Sequence, residues 1–138
     1  MSYNNLINKA MKQLITFCLL IIAFYSCAKG PGENTIHLST RTAEFNASGD
    51  SIIVKTGGNW WWVSDISVDT TWYYGFTGVD LQADSYKIKQ DCFDVEHRDK
   101  NTLFIKVTAN PNYAKRIVTV GLEAGDYFDR VTITQKSK

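Results

Sequence analysis

Cysteine, histidine, proline and any surplus of charge are all scarce in this chain of 138 residues. The three cysteines stand at positions 18, 27 and 92, and the two histidines are His37 and His97. Neither histidine has a nearby Cys or second His, so no spacing fits a metal site. Both read as ordinary surface residues. Two prolines and nine glycines exclude collagen-like and low-complexity chains. A formal net charge of +1 lacks the basic surplus that nucleic-acid binders use against phosphate. No Ser lies in a nucleophile-elbow setting, and no glycine-rich phosphate loop follows a strand. The carboxylate pairs Asp91/Asp94 and Asp126/Asp129 flank turns or lie on exposed strand faces, where solvation accounts for them. A glycosidase would need two carboxylates in a cleft. The expectation is a protein that is not an enzyme and carries no cofactor.

What is present begins with a leader. Lys9 and Lys12 precede an uncharged run from Leu14 to Tyr25. A helix over that run spans about 18 Å, short of a hydrocarbon core of about 30 Å. The length suits the apolar part of an export signal. A single membrane-spanning anchor is the alternative. The translation start is Met1 or Met11. Phe24-Tyr25-Ser26-Cys27 follows the run and resembles the lipobox of bacterial lipoproteins. The resemblance implies that the Cys27 thiol carries a diacylglycerol and becomes the new N-terminus. The expected organisation is a signal helix over 1–26, a tether over 27–35 and a folded domain over 36–138. Removing 26 residues leaves 112 and, without Lys9 and Lys12, a net charge of −1. Cys92 then has no disulfide partner and reads as a buried, inert thiol. The expected location is the cell envelope, as an outer-membrane lipoprotein facing the periplasm or the surface. Ala28-Lys29-Gly30 lacks the acidic run that sends some lipoproteins to the surface.

From Ile36 onward the apolar period is two. Leu103, Ile105 and Val107 alternate with Phe104, Lys106 and Thr108, and the same alternation runs through Val118, Val120 and Leu122 and through Val131 and Ile133. These runs are rich in Val, Ile and Thr, as pleated half-buried strands prefer. Turn residues separate them, as at Ala47-Ser48-Gly49-Asp50, Gly57-Gly58-Asn59 and Ala124-Gly125-Asp126. The pattern predicts an all-β antiparallel sandwich of seven or eight strands. They are expected near 36–40, 43–46, 51–56, 60–68, 72–76 or 86–90, 92–97, 102–109, 115–122 and 127–135.

Several residues in order resemble one family. They are Asn59-x-x-Trp62, then Leu103-x-Ile105-x-Val107-x-x-Asn110, Arg116-x-Val118-x-Val120, and a closing Val131-x-Ile133-x-Gln135. The pattern is similar to the BACON domain, the Bacteroidetes-associated carbohydrate-binding often N-terminal module, across about residues 38–135. The resemblance implies an immunoglobulin-like sandwich akin to fibronectin type III, with carbohydrate binding as the associated role. It places Trp62 in the core and Arg116 in a salt bridge or laid over the sandwich. A second family Trp is replaced by Cys92-Phe93, and the stretch 69–91 is longer than the short family form. The motifs Asp50-Ser51-Ile52 and Asp69-Thr70-Thr71 match a short O-glycosylation signal of such bacteria.

Trp60-Trp61-Trp62 and Trp72-Tyr73-Tyr74 are the chemical feature of the chain. Sugar sites use flat rings because the C–H face of a pyranose stacks on a π-face. With Trp62 inward, strand alternation turns Trp61 outward. The expected ligand-binding residues are therefore Trp61, Trp72, Tyr73 and Tyr74. The alternative is that these rings cover the sandwich edge or pack beneath the 69–91 connection. The expected partners are a glycan or an envelope protein, with the membrane reached through the lipid, no nucleic acid, and a monomeric chain. A spacer or interaction module, or a subunit completed by a donated strand, are the other readings.

Overall fold

The computed structural model describes residues 35–138. The expected leader, Cys27 and the tether up to residue 34 lie outside the described residues. Nine strands form: β1 (Thr42–Phe45), β2 (Asp50–Lys55), β3 (Trp62–Val68), β4 (Thr71–Tyr73), β5 (Tyr86–Gln90), β6 (Phe93–Arg98), β7 (Thr102–Val107), β8 (Arg116–Ala124) and β9 (Tyr127–Gln135). They make one sheet in the order β1-β9-β8-β3-β4 and another in the order β2-β7-β6-β5. The protein is an all-β sandwich. No helix occurs among the described residues, so none there is long and apolar enough to cross a membrane.

The inward residues are the ones the period-two pattern selects. Val54, Val95, Leu103, Ile105, Val118, Val120, Val131 and Ile133 are fully buried. Each removes roughly 1.5–3 kcal/mol worth of apolar surface from water, without help from a disulfide among the described residues. Both candidate strands of the 69–91 stretch exist, as β4 and β5. The β3–β4 hairpin turns on two residues, Asp69 and Thr70, and Asp69 takes φ 52°. Asp tolerates that left-handed geometry better than most residues. The Asp69 Oδ1 also accepts from the Ile117 N–H at 2.8 Å, which ties the turn to β8.

Three expectations differ. The described residues form nine strands instead of seven or eight, since both candidates in 69–91 pair. The segment 36–40 forms no strand. Ile36 and Leu38 are buried all the same, while His37 between them takes φ 50°, which breaks the extension. The sandwich is also not wholly antiparallel, because β1 pairs with β9 in parallel register, Thr42 against Thr132.

One end of the sandwich is closed by polar groups. Arg116 and Gln135 face each other across β8 and β9 and are both buried. Gln135 Nε2 donates to the carbonyls of Thr108, Asn46 and Ala47 at 2.9–3.4 Å. Arg116 Nη1 donates to the Thr108 carbonyl and to Gln135 Oε1. Arg116 thus bonds to neutral oxygens and makes no salt bridge among the described residues.

Candidate functional site

The site lies where β3 leaves the core pattern. Trp62 pairs with Glu123 and Val63 with Leu122, but Asp65 pairs with Gly121, so a β-bulge at Ser64 inserts one extra residue. A bulge reverses the parity of everything before it. Val63 and Trp61 therefore point inward, and Trp62 points out. Trp61 is only 3% exposed. Its indole N–H donates to Thr56 Oγ1 at 3.0 Å, and its ring lies 4.1 Å from that of His97. This overturns the expectation of Trp61 as the centre of an outward platform, and of Trp62 as the core ring.

The other three expected residues divide. Trp72 is 58% exposed and Tyr74 is also exposed. Tyr73 is half-buried, with its ring edge-on to Phe93 at 5.4 Å. This follows from register, since Tyr73 sits opposite the buried Ile66 and Trp72 opposite Ser67.

The outer face of the five-stranded sheet can be read in rows. Trp72, Ser67, Thr119 and Thr132 form one row, Asp65, Gly121 and Arg130 the next, and Trp62, Glu123 and Phe128 the third. A shallow hollow of about 150 Å3 opens there, lined by Ser64, Asp65, Trp72, Thr119, Gly121, Phe128 and Arg130 among others. Trp72 also walls a second hollow of about 400 Å3 at the sandwich edge, with Tyr73, Tyr74, Phe76, Thr77 and Gln90. Trp72 is therefore the ridge between two hollows. Trp60, exposed at the end of the sandwich, stands edge-on to Trp62 at 5.7 Å. Phe128 is exposed as well.

Sequence reasoning missed Phe128, Asp65, Arg130 and His97. Period two counted along Phe93, Val95 and His97 places the last of these inward, which was the available signal. His97 is only 5% exposed, so it is not a surface histidine. Neither ring nitrogen has a well-formed hydrogen bond among the described residues, although the Lys100 backbone favours the charged ring. Its ring meets Trp61 and, at 5.1 Å, Tyr86. Burial pushes its pKa down from the ordinary value. Tyr86 in turn accepts the Val63 N–H at 2.8 Å, and burial pushes its phenol up to about 12.

One member of each carboxylate pair is ion-paired, while Asp91 and Asp126 are exposed. Asp94 joins Lys87 at 3.5 Å, and Asp129 holds Arg41 through two bonds, Nε to Oδ1 at 3.0 Å and Nη2 to Oδ2 at 2.7 Å. The Asp129 side chain is nearly buried, so pairing rather than solvation accounts for it. Cys92 is half-buried, and burial raises its thiol pKa. No cluster of three or more His, Cys, Asp or Glu able to hold a metal occurs among the described residues.

No family model matches the chain, and no curated protein matches it. Two solved structures resemble parts of the chain. A protein from Bacteroides thetaiotaomicron, solved by NMR, is 18% identical with a TM-score of 0.63. The match covers 82% of this chain and 95% of that one. A Bacteroides ovatus GH5 xyloglucanase in complex with a XXXG heptasaccharide is 19% identical with a TM-score of 0.47. That match covers 75% of this chain and 19% of the enzyme. The first likeness shows a shared fold.

Proposed function

We propose that this chain is a non-catalytic glycan-binding domain, held at the cell envelope through a lipid on Cys27, as BACON-like modules are expected to be. The observation that carries the reading is Trp72, a largely exposed indole standing between two hollows lined by hydroxyl, carboxylate, amide and guanidinium groups. A ring of that size left in water forgoes the large burial an aromatic can supply. Stacking on a sugar recovers it. Phe128 and Tyr74 extend the aromatic surface to either side of the ridge.

The test is a glycan microarray probed with the purified domain 27–138. Retention on at least one glycan is expected, and a blank array removes the reading. The anchor is tested separately by inhibiting lipoprotein signal cleavage with globomycin. Accumulation of uncut precursor is expected, and unchanged processing contradicts lipidation.

A second reading, a protein-interaction module, has one observation in its favour. β2 is a sheet edge, and Ile53 on it is 54% exposed beside Phe104. An open edge with an apolar side chain invites pairing with an added strand. Capture of a partner by wild type, lost in Ile53→Lys, would favour it over glycan binding.

A further inference from the structure

Gly121 is the one position on the outer face of β8 without a side chain, and its neighbour on β3 uses the space. A Cβ built there would lie 2.9 Å or less from all three atoms of the Asp65 carboxylate. The Asp65 carboxylate therefore lies across the β8 backbone. Ser64 Oγ donates to its Oδ2 at 2.7 Å and holds it there. Arg130 stands opposite Gly121 on the far side, two strands from Asp65, or about 10 Å between backbones at ordinary strand spacing. The Arg130 guanidinium makes no ion pair with any described residue. The Arg130 backbone N–H donates to Asp129 Oδ1 at 2.9 Å, which leaves the guanidinium itself without a bond to the described residues. A fixed acceptor lying over Gly121 and an uncommitted planar donor on the neighbouring strand thus line one hollow, with Trp72 and Phe128 as walls.

Resting on the glycan reading above, we infer that this row is the specificity grip of the site, and that it takes a neutral sugar presenting two adjacent hydroxyls. One hydroxyl donates to the Asp65 carboxylate, and its neighbour accepts from Arg130. Charged acceptors and donors make the stronger hydrogen bonds, and the pair reads hydroxyl spacing because backbone and Ser64 fix the carboxylate. A uronic acid fits poorly. Its carboxylate would gain Arg130 and meet Asp65, a like charge in the same hollow. Gly121 is a positioning residue. A Cβ there displaces the carboxylate, whose three atoms are its nearest neighbours.

The experiment is NMR and calorimetric titration of the domain 27–138 with four hexasaccharides: β-1,4-glucose, β-1,4-xylose, α-1,6-mannose and, as the acidic probe, α-1,4-galacturonate. At least one neutral probe should shift the Asp65, Gly121 and Arg130 signals and bind more tightly than galacturonate. Asp65→Asn, Gly121→Ala and Arg130→Gln should each weaken it at least tenfold. Asp65→Asn keeps the side-chain shape and serves if Gly121→Ala misfolds. If Trp72→Ala abolishes binding while Asp65→Asn and Gly121→Ala bind as wild type, the grip is wrong and the glycan reading stands. Galacturonate binding best overturns the neutral class. Binding by none of the four overturns the grip, and the microarray then decides the broader reading.

Discussion

The indole N–H of Trp61 donates to the hydroxyl of Thr56, which itself donates to the Gly58 carbonyl at 2.8 Å. A buried indole must find such a partner, and the Gly57-Gly58 turn supplies it before β3 begins. Gly57 N–H bonds back to the Ile36 carbonyl at 3.0 Å, so the irregular first segment is fastened by the same turn.

Trp61→Ala should therefore remove about 3–5 kcal/mol of stability, as large aromatic truncations in a core do. Trp60→Ala, at an exposed ring one residue earlier, should change it by about 0.5 kcal/mol or less. Urea unfolding of the two variants checks the contrast. Equal losses would mean that the bulge does not set the parity described.

His97 gives the domain an acid limb. Its folded pKa lies below the ordinary His value of about 6.5, so below that pH the unfolded chain binds more protons than the folded one. Stability is then complete above about 6.5 and falls as pH drops toward the folded pKa. The charged neighbours are Asp84 and Asp99, which favour protonation and moderate the fall, and Lys100, which pairs with Asp84 at 3.5 Å. Trp61 and Tyr86 facing the ring are neutral at these pH values. His97→Phe should flatten the decline in urea midpoint between pH 7 and 5. A variant that declines as wild type does would assign that limb elsewhere.

The polar closure at the opposite end of β8 should be sensitive to one amide. Gln135→Leu removes one donor each from the carbonyls of Thr108, Asn46 and Ala47, which keep Arg116 Nη1, the Gly49 N–H and the Asn110 N–H respectively. It also leaves Arg116 short of an acceptor. Each hydrogen bond lost costs about 0.5–1.5 kcal/mol. A loss within that range or above, with glycan binding unchanged in the molecules that remain folded, is the expected outcome of thermal unfolding and titration.

Much of the sandwich was legible because β7, β8 and β9 alternate without interruption, and Leu103, Val120 and Ile133 point where period two sends them. The aromatic site was half legible. Trp72 is exposed because hairpin register sets it opposite Ser67, and Tyr74 is exposed just past the end of β4. The Trp60–Trp62 orientation was not, because one extra residue at Ser64 reverses it and nothing in Ser-Asp announces a bulge. Arg130 and Asp65 could not be paired from sequence, because only the register across Gly121 brings positions so far apart in the chain onto one row.

The most direct test is calorimetric titration of the best microarray glycan into wild type and Trp72→Ala, with the fold of both checked by NMR. The account predicts measurable binding by wild type and at least a tenfold loss in the variant. Equal affinity in the two proteins would contradict it.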